Sequence, residues 1–180
     1  MIEHSQLIGK PWEGAFPAIS LSCGYFAYDQ LDMLLKTLYS VTFPSILLHH
    51  LVLLICFTLA LHRKVAVNYL TLTLICEIHS IFLHFRKLRR MAGFRDGNSK
   101  LVKIEWAINW ISFVFSRFVS HVLIFIKLIR DASLFEDDVE FWLALIGMVA
   151  MNMLNIGLGI DLLKAYKREI LASRKIKKLK

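Results

Sequence analysis

A multi-pass bundle of membrane-crossing α-helices is the fold class this chain predicts, and three observations predict it. Of its 180 residues 57% are hydrophobic and the mean hydropathy is +0.56, an excess for a soluble domain of this size. The apolar residues gather in runs close to the roughly 20 residues that a helix needs to cross a bilayer. None of these runs alternates with period two, and an open sheet would leave unpaired backbone edges in lipid. The reading is an all-α, polytopic bundle of five transmembrane helices.

Residues 1–14 come first and are polar, with Glu3, Lys10, Pro11 and Glu13. They read as an extracytoplasmic segment without a secretory leader, so insertion relies on the first helix itself. That helix is expected over 15–39, and the second over 42–61, where TFPSILLHHLVLLICFTLAL carries no charge except the pair His49 and His50. The third is expected over 65–85, the fourth over 104–127 and the fifth over 141–163, so the membrane domain occupies 15–163. Residues 86–103 form a basic connection containing the turn formers Gly93, Gly97 and Asn98. The basic tail 164–180 closes the chain.

Lysine and arginine gather on the cytoplasmic side of short loops. The connection 86–103 holds seven of them against Asp96, and the tail holds eight against Glu169. Facing them are the N-terminal segment, the turn with Arg63 and Lys64, and the acidic loop 131–140. The N-terminus is therefore expected outside or lumenal and the C-terminus cytoplasmic. The tail reads as a snorkelling anchor beside an anionic leaflet. Without a reading module it does not point to nucleic acid. Its end, with Lys177 and Lys178, also fits a dilysine retrieval signal of the endoplasmic reticulum. Cys23, Cys56 and Cys76 all fall inside apolar runs without a CxxC spacing, so they read as packing residues.

Polar residues inside the spans are the functional candidates. Asp29 and Asp32, three apart, share one face of the first helix. His49 and His50 are about 100° apart around the second and cannot both point one way. On the third, Glu77, Ser80 and His84 follow one line, with His79 on a neighbouring face. The fourth carries Arg117 and His121, and the fifth carries Asn152 and Asn155. Asp29, His50, Glu77, Arg117 and Asn152 lie within about two turns of the midplane. A lone charge there costs roughly 2.5–3.5 kcal/mol on insertion scales, so a shared polar interior is expected, in which Arg117 neutralises Glu77 or an aspartate. Interhelical locking is the plainer use of such groups, but packing alone needs no carboxylates. A metal is not expected, because adjacent histidines on a helix converge poorly on one ion, and neither is a cofactor.

The stretches Ser22-Cys23-Gly24-Tyr25-Phe26-Ala27-Tyr28-Asp29-Gln30-Leu31-Asp32, His49-His50-Leu51-Val52 and Glu77-Ile78-His79-Ser80-Ile81-Phe82-Leu83-His84-Phe85-Arg86 resemble the TLC domain, named for TRAM, Lag and CLN proteins. The resemblance continues through Phe115-Ser116-Arg117-Phe118 and the asparagine-bearing last helix, and covers about residues 20–165. Within the family the chain is most similar to the subgroup of TLC domain-containing proteins 1 and 2. The resemblance implies a non-catalytic regulator of membrane phospholipid composition and fluidity, limiting polyunsaturated acyl chains, at the plasma membrane. Family members usually carry at least one more helix before the first span, so it also implies a shortened form.

The alternative is an acyl-CoA-dependent lipid acyltransferase of ceramide-synthase type, with His49 or His50 as general base. Against it, the ceramide-synthase pattern HDxxDxxLExxK reads here as Cys76-Glu77-Ile78-His79-Ser80. A proton-coupled transporter is a third reading, poorly served by five helices without a repeat. The partners expected are membrane lipids, an anionic leaflet, and helix–helix partners or a second copy of the chain.

Overall fold

The computed structural model describes residues 7–35, 44–94 and 99–178, those at 44–46 and 173–178 by backbone alone. Among the described residues seven α-helices follow one another: α1 (Ala15–Leu35), α2 (Pro44–Arg63), α3 (Val67–Thr73), α4 (Glu77–Met91), α5 (Lys100–Ser112), α6 (Ser120–Arg130) and α7 (Asp138–Lys178). The described residues contain no strand. The chain is all-α. It divides into two compact units, Met1–Leu74 with His121–Leu154, and Ile75–Ser120 with Asn155–Lys180.

Local chemistry sets where the helices begin. Pro44 opens α2, where a missing N–H costs nothing. Val139 N–H donates to the Asp137 carboxylate at 2.9 Å, which caps α7.

The third apolar run is not one helix over 65–85. Lys64 and Ala66 take left-handed φ values of 58° and 57°, so α3 starts only at Val67. It tightens into a 3-10 turn over Leu74–Cys76 before α4. The hydroxyls of Thr71 and Thr73 donate to the carbonyls of Val67 and Leu70 at 2.9 and 2.7 Å, competing with the helical ladder just ahead of that turn. The continuation, α4, runs past Phe85 to Met91. Its arginines are good helix formers, so the expected connection 86–103 is helical at both ends. Gly93, at φ 86°, makes the turn after α4. Gly97 and Asn98 lie outside the described residues, as do 36–39 of the first expected helix and Thr42 of the second.

The fourth helix extends over Lys100–Arg130, beyond 104–127 at both ends. A π-helical stretch, Phe113–Val119, joins α5 to α6. Ser112, Ser116 and Ser120 each donate to the carbonyl four residues back, the local competition that widens or bends a helix. No glycine or proline follows Gly159, and α7 accordingly continues beyond Leu163 through Lys178.

Among the described residues two helices, Lys100–Arg130 and Asp138–Ala172, are long and apolar enough to cross a membrane, with Leu47–Arg63 a shorter apolar helix. Only 33% and 17% of the most apolar windows of the two long helices are buried, whereas the core helix of a soluble domain would hide them. Outward-facing Leu21, Leu35, Ile81, Phe115 and Met153 continue that apolar exterior.

In the first unit, Ile19 and Phe26 of α1 pack with Leu53 and Phe57 of α2, Val67 and Met151. A second cluster gathers Leu7, Tyr69, Ile124, Leu128 and Met148. The second unit centres on Val102, Trp106, Phe113 and Leu162. There Gly159 permits a close approach, since a Cβ on it would stand 2.8 Å from Phe113 Cζ.

Candidate functional site

The eleven sequence-derived candidates divide between the units. Asp29, Asp32, His49, His50, His121 and Asn152 belong to the first, and Glu77, Ser80, His84, Arg117 and Asn155 to the second.

In the first unit α1 and α2 bring a carboxylate to an imidazole. Asp29 Oδ2 lies 3.3 Å from His50 Nδ1. Phe26, one turn before Asp29, sets its ring 5.1 Å from that of His50 and holds the imidazole in place. His49 is buried as well, its ring 5.7 Å from His50 and tilted by 54°, so the two histidines do diverge. A carboxylate on one ring nitrogen fixes the tautomer and directs the other nitrogen away from it, which is how a general base is oriented. Asp32 is half-buried one turn further along α1, and His121 of α6 is fully buried. Asn152 corrects the expectation of a shared interior. Its amide donates to Met148 O of its own helix at 2.8 Å, which satisfies the group without a neighbouring helix.

The first unit also forms a partly open cavity of about 310 Å³ among α2, α3, α6 and α7. Cys56, Leu59, Leu70, Ile124, Met148 and Met151 represent its apolar wall. Four polar residues interrupt that wall: Arg63, Tyr69, Thr73 and Glu140. Arg63 Nε faces Glu140 Oε1 at 3.8 Å. The Tyr69 hydroxyl donates to the Asp131 carboxylate, which also accepts from Lys127 Nζ at 2.8 and 2.6 Å. Asp131, the first residue of the acidic loop 131–140, is buried. Tyrosine and lysine partners make that burial tolerable.

In the second unit the guanidinium of Arg117 donates to Ser80 Oγ at 2.7 Å and to Asn155 Oδ1 at 3.3 Å. Asn155 returns a bond from its amide to the Arg117 carbonyl at 3.3 Å. Arg117 therefore meets the neutral oxygens of Ser80 and Asn155. It sits in the π-helical stretch, a distortion frequent at functional sites. Glu77 accepts from Cys76 Sγ at 3.4 Å. His84 is exposed and does not join the polar interior. The buried histidine of α4 is its neighbour His79, whose ring meets Phe113 edge-on at 5.4 Å, because the inward line of α4 runs through His79, Leu83 and Arg86.

The sequence reading missed one cluster in this unit. Arg89 donates to the carboxylates of Glu105 and Glu169, to the latter at 2.7 Å, and to Phe94 O. Arg86 reaches Glu169 at 3.2 Å and lies 4.3 Å over the Trp106 ring. The four charges had been assigned to a loop, a span and a snorkelling tail. The signal was Glu105, an acid otherwise unexplained at the start of an apolar helix.

Comparison with known proteins gives the family. The family model of the TLC domain matches residues 3–164. This chain belongs to the TLC domain family. The TLC domain-containing protein 2 of Danio rerio is 30% identical over 152 residues, which cover 82% of this chain and 58% of that protein. The protein of the same name from Mus musculus is 36% identical over 78 residues, 43% of this chain and 24% of the other. The chain thus spans little more than half of the first relative. No solved structure matches it. Membership, with the outward apolar helices, makes this TLC protein an integral membrane protein.

Proposed function

We propose that this TLC protein crosses the membrane five times, N-terminus outside or lumenal and C-terminus cytoplasmic, and regulates membrane phospholipid composition and fluidity by limiting polyunsaturated acyl chains. The observation that carries the reading is the apolar cavity of about 310 Å³, which falls in the size range of small-molecule sites and offers an acyl chain a protein-lined alternative to the bilayer. The plasma membrane is the proposed place of action, with membrane lipids as partners. Phospholipid acyl chains in cells with and without the gene test it: a raised polyunsaturated share on deletion supports the reading, and an unchanged profile in every phospholipid class ends it.

The acyltransferase reading rests on one observation of its own, the His50–Asp29 pair at 3.3 Å. Protein in liposomes with labelled acyl-CoA and candidate acceptors would then form labelled lipid, and His50→Ala would abolish the product. Product formation that survives His50→Ala would remove His50 from that role.

A further inference from the structure

Three of the four polar residues of the cavity gather at one end of its wall, and the fourth, Thr73, donates its hydroxyl to the Leu70 carbonyl of its own helix at 2.7 Å. Arg63 is the last residue of α2, Tyr69 lies in the first turn of α3 and Glu140 in the first turn of α7. All three therefore come from helix ends beside the turn at 64–66 and the segment 131–137. The lining residues further into the helices, Val52, Leu53, Ala150 and Met151, are apolar. The cavity is thus amphiphilic along its length, with charge at one end and hydrocarbon at the other.

The charged end has a definite pattern. It presents one cation and one anion, Arg63 and Glu140, separated by 3.8 Å, longer than a direct charge-assisted bond. The Arg63 side chain is 55% exposed and that of Glu140 14%, so the arginine has freedom to turn to another acceptor while the carboxylate stays on the wall. A ligand carrying only a negative headgroup would satisfy Arg63 and leave Glu140 facing it. A neutral hydroxyl headgroup can hydrogen-bond to both but balances neither charge. A headgroup that carries a phosphate and an ammonium a few bonds apart complements both.

We infer that the cavity is a binding site for a single-chain zwitterionic phospholipid, its phosphate on Arg63, its ammonium on Glu140 and its one acyl chain running between α2, α3, α6 and α7 toward Met151. The inference rests on the proposed lipid function and names the lipid class the site takes. A single acyl chain suits a partly open cavity of about 310 Å³, at the low end of ligand cavities. The Tyr69 hydroxyl is committed to Asp131, which leaves Arg63 and Glu140 as the discriminating charges.

The test uses the full chain in nanodiscs with three diazirine-tailed probes sharing one acyl chain: a lysophosphatidylcholine, a fatty acid and a monoacylglycerol. Labelled peptides are located by mass spectrometry. The lysophosphatidylcholine probe is expected to label residues 52–60, 69–73 and 143–151 at least fivefold above the other two. Arg63→Gln and Glu140→Gln should each remove that preference. Ala144→Trp, which fills the cavity, should suppress labelling by all three probes, and a melting temperature is recorded for each variant so that misfolding is visible. Equal labelling by the three probes, or a preference that survives Arg63→Gln and Glu140→Gln, overturns the assignment. Because binding is read on purified protein and composition in cells, a lost probe preference beside a deletion-sensitive lipid profile sinks the site alone, whereas intact labelling beside an unchanged profile sinks the regulatory reading.

Discussion

Arg117 shows how neutral oxygens help to hold a buried charge. Its hydrogens are spread over Ser80 and Asn155, and the Asn155 amide closes the loop on the Arg117 carbonyl. Replacing Asn155 by leucine strands both the guanidinium and the carbonyl, and is expected to cost about 1–2 kcal/mol, read as a lowered unfolding midpoint in detergent. Asn155→Asp should cost less, since a carboxylate still accepts from Arg117. At another buried charge, Tyr69→Phe removes a donor from Asp131, and a similar loss is expected in the same assay. Of the individual candidates, Asp29 and His50 are the two whose meeting could be read from the sequence, because a carboxylate and an imidazole at matching depth on consecutive helices have few other partners. It misassigned His84 and Asn152. The position of one residue around a helix depends on packing, and an asparagine that bonds its own backbone leaves no trace in the spacing.

At the scale of elements, hydropathy identified where apolar helix exists and not how it is interrupted. The 3-10 turn at Leu74–Cys76 and the π-helical stretch at Phe113–Val119 fall inside uniformly apolar runs, where only the threonine and serine spacing hints at them. The ends of α4 and α7 were missed for a different reason. Charged residues after Phe85 and Leu163 read as loop and tail, yet Arg86, Arg89 and Glu169 are helix formers whose charges cancel in the second unit. Glu105→Leu would leave Arg89 with half its anionic support, and a destabilisation of about 3–5 kcal/mol is expected. The double variant Arg89→Leu with Glu105→Leu should fall short of the sum of its single effects, a coupling that a double-mutant cycle measures. On α7, Gly159→Val forces a Cβ toward Phe113, with about 1–3 kcal/mol of overpacking expected in the unfolding midpoint.

For the whole molecule, composition with the length and periodicity of the apolar runs identified an all-α membrane chain, and three short motifs identified the TLC family that the match over residues 3–164 establishes. The division into two units and the amphiphilic cavity were not legible, since both arise from contacts between residues far apart in sequence. Orientation belongs to this scale too: an antibody to an epitope placed after Lys180 is expected to stain only permeabilised cells, and staining of intact cells would reverse the assigned sides. The central claim is that the chain sets phospholipid acyl composition through a site that holds lipid. The most direct measurement is the polyunsaturated fraction of each phospholipid class in deletion cells restored with the wild-type chain, Ala144→Trp or His50→Ala at equal abundance. The account predicts restoration by the wild type and by His50→Ala and failure by Ala144→Trp. Equal restoration by all three, or by none, would contradict it.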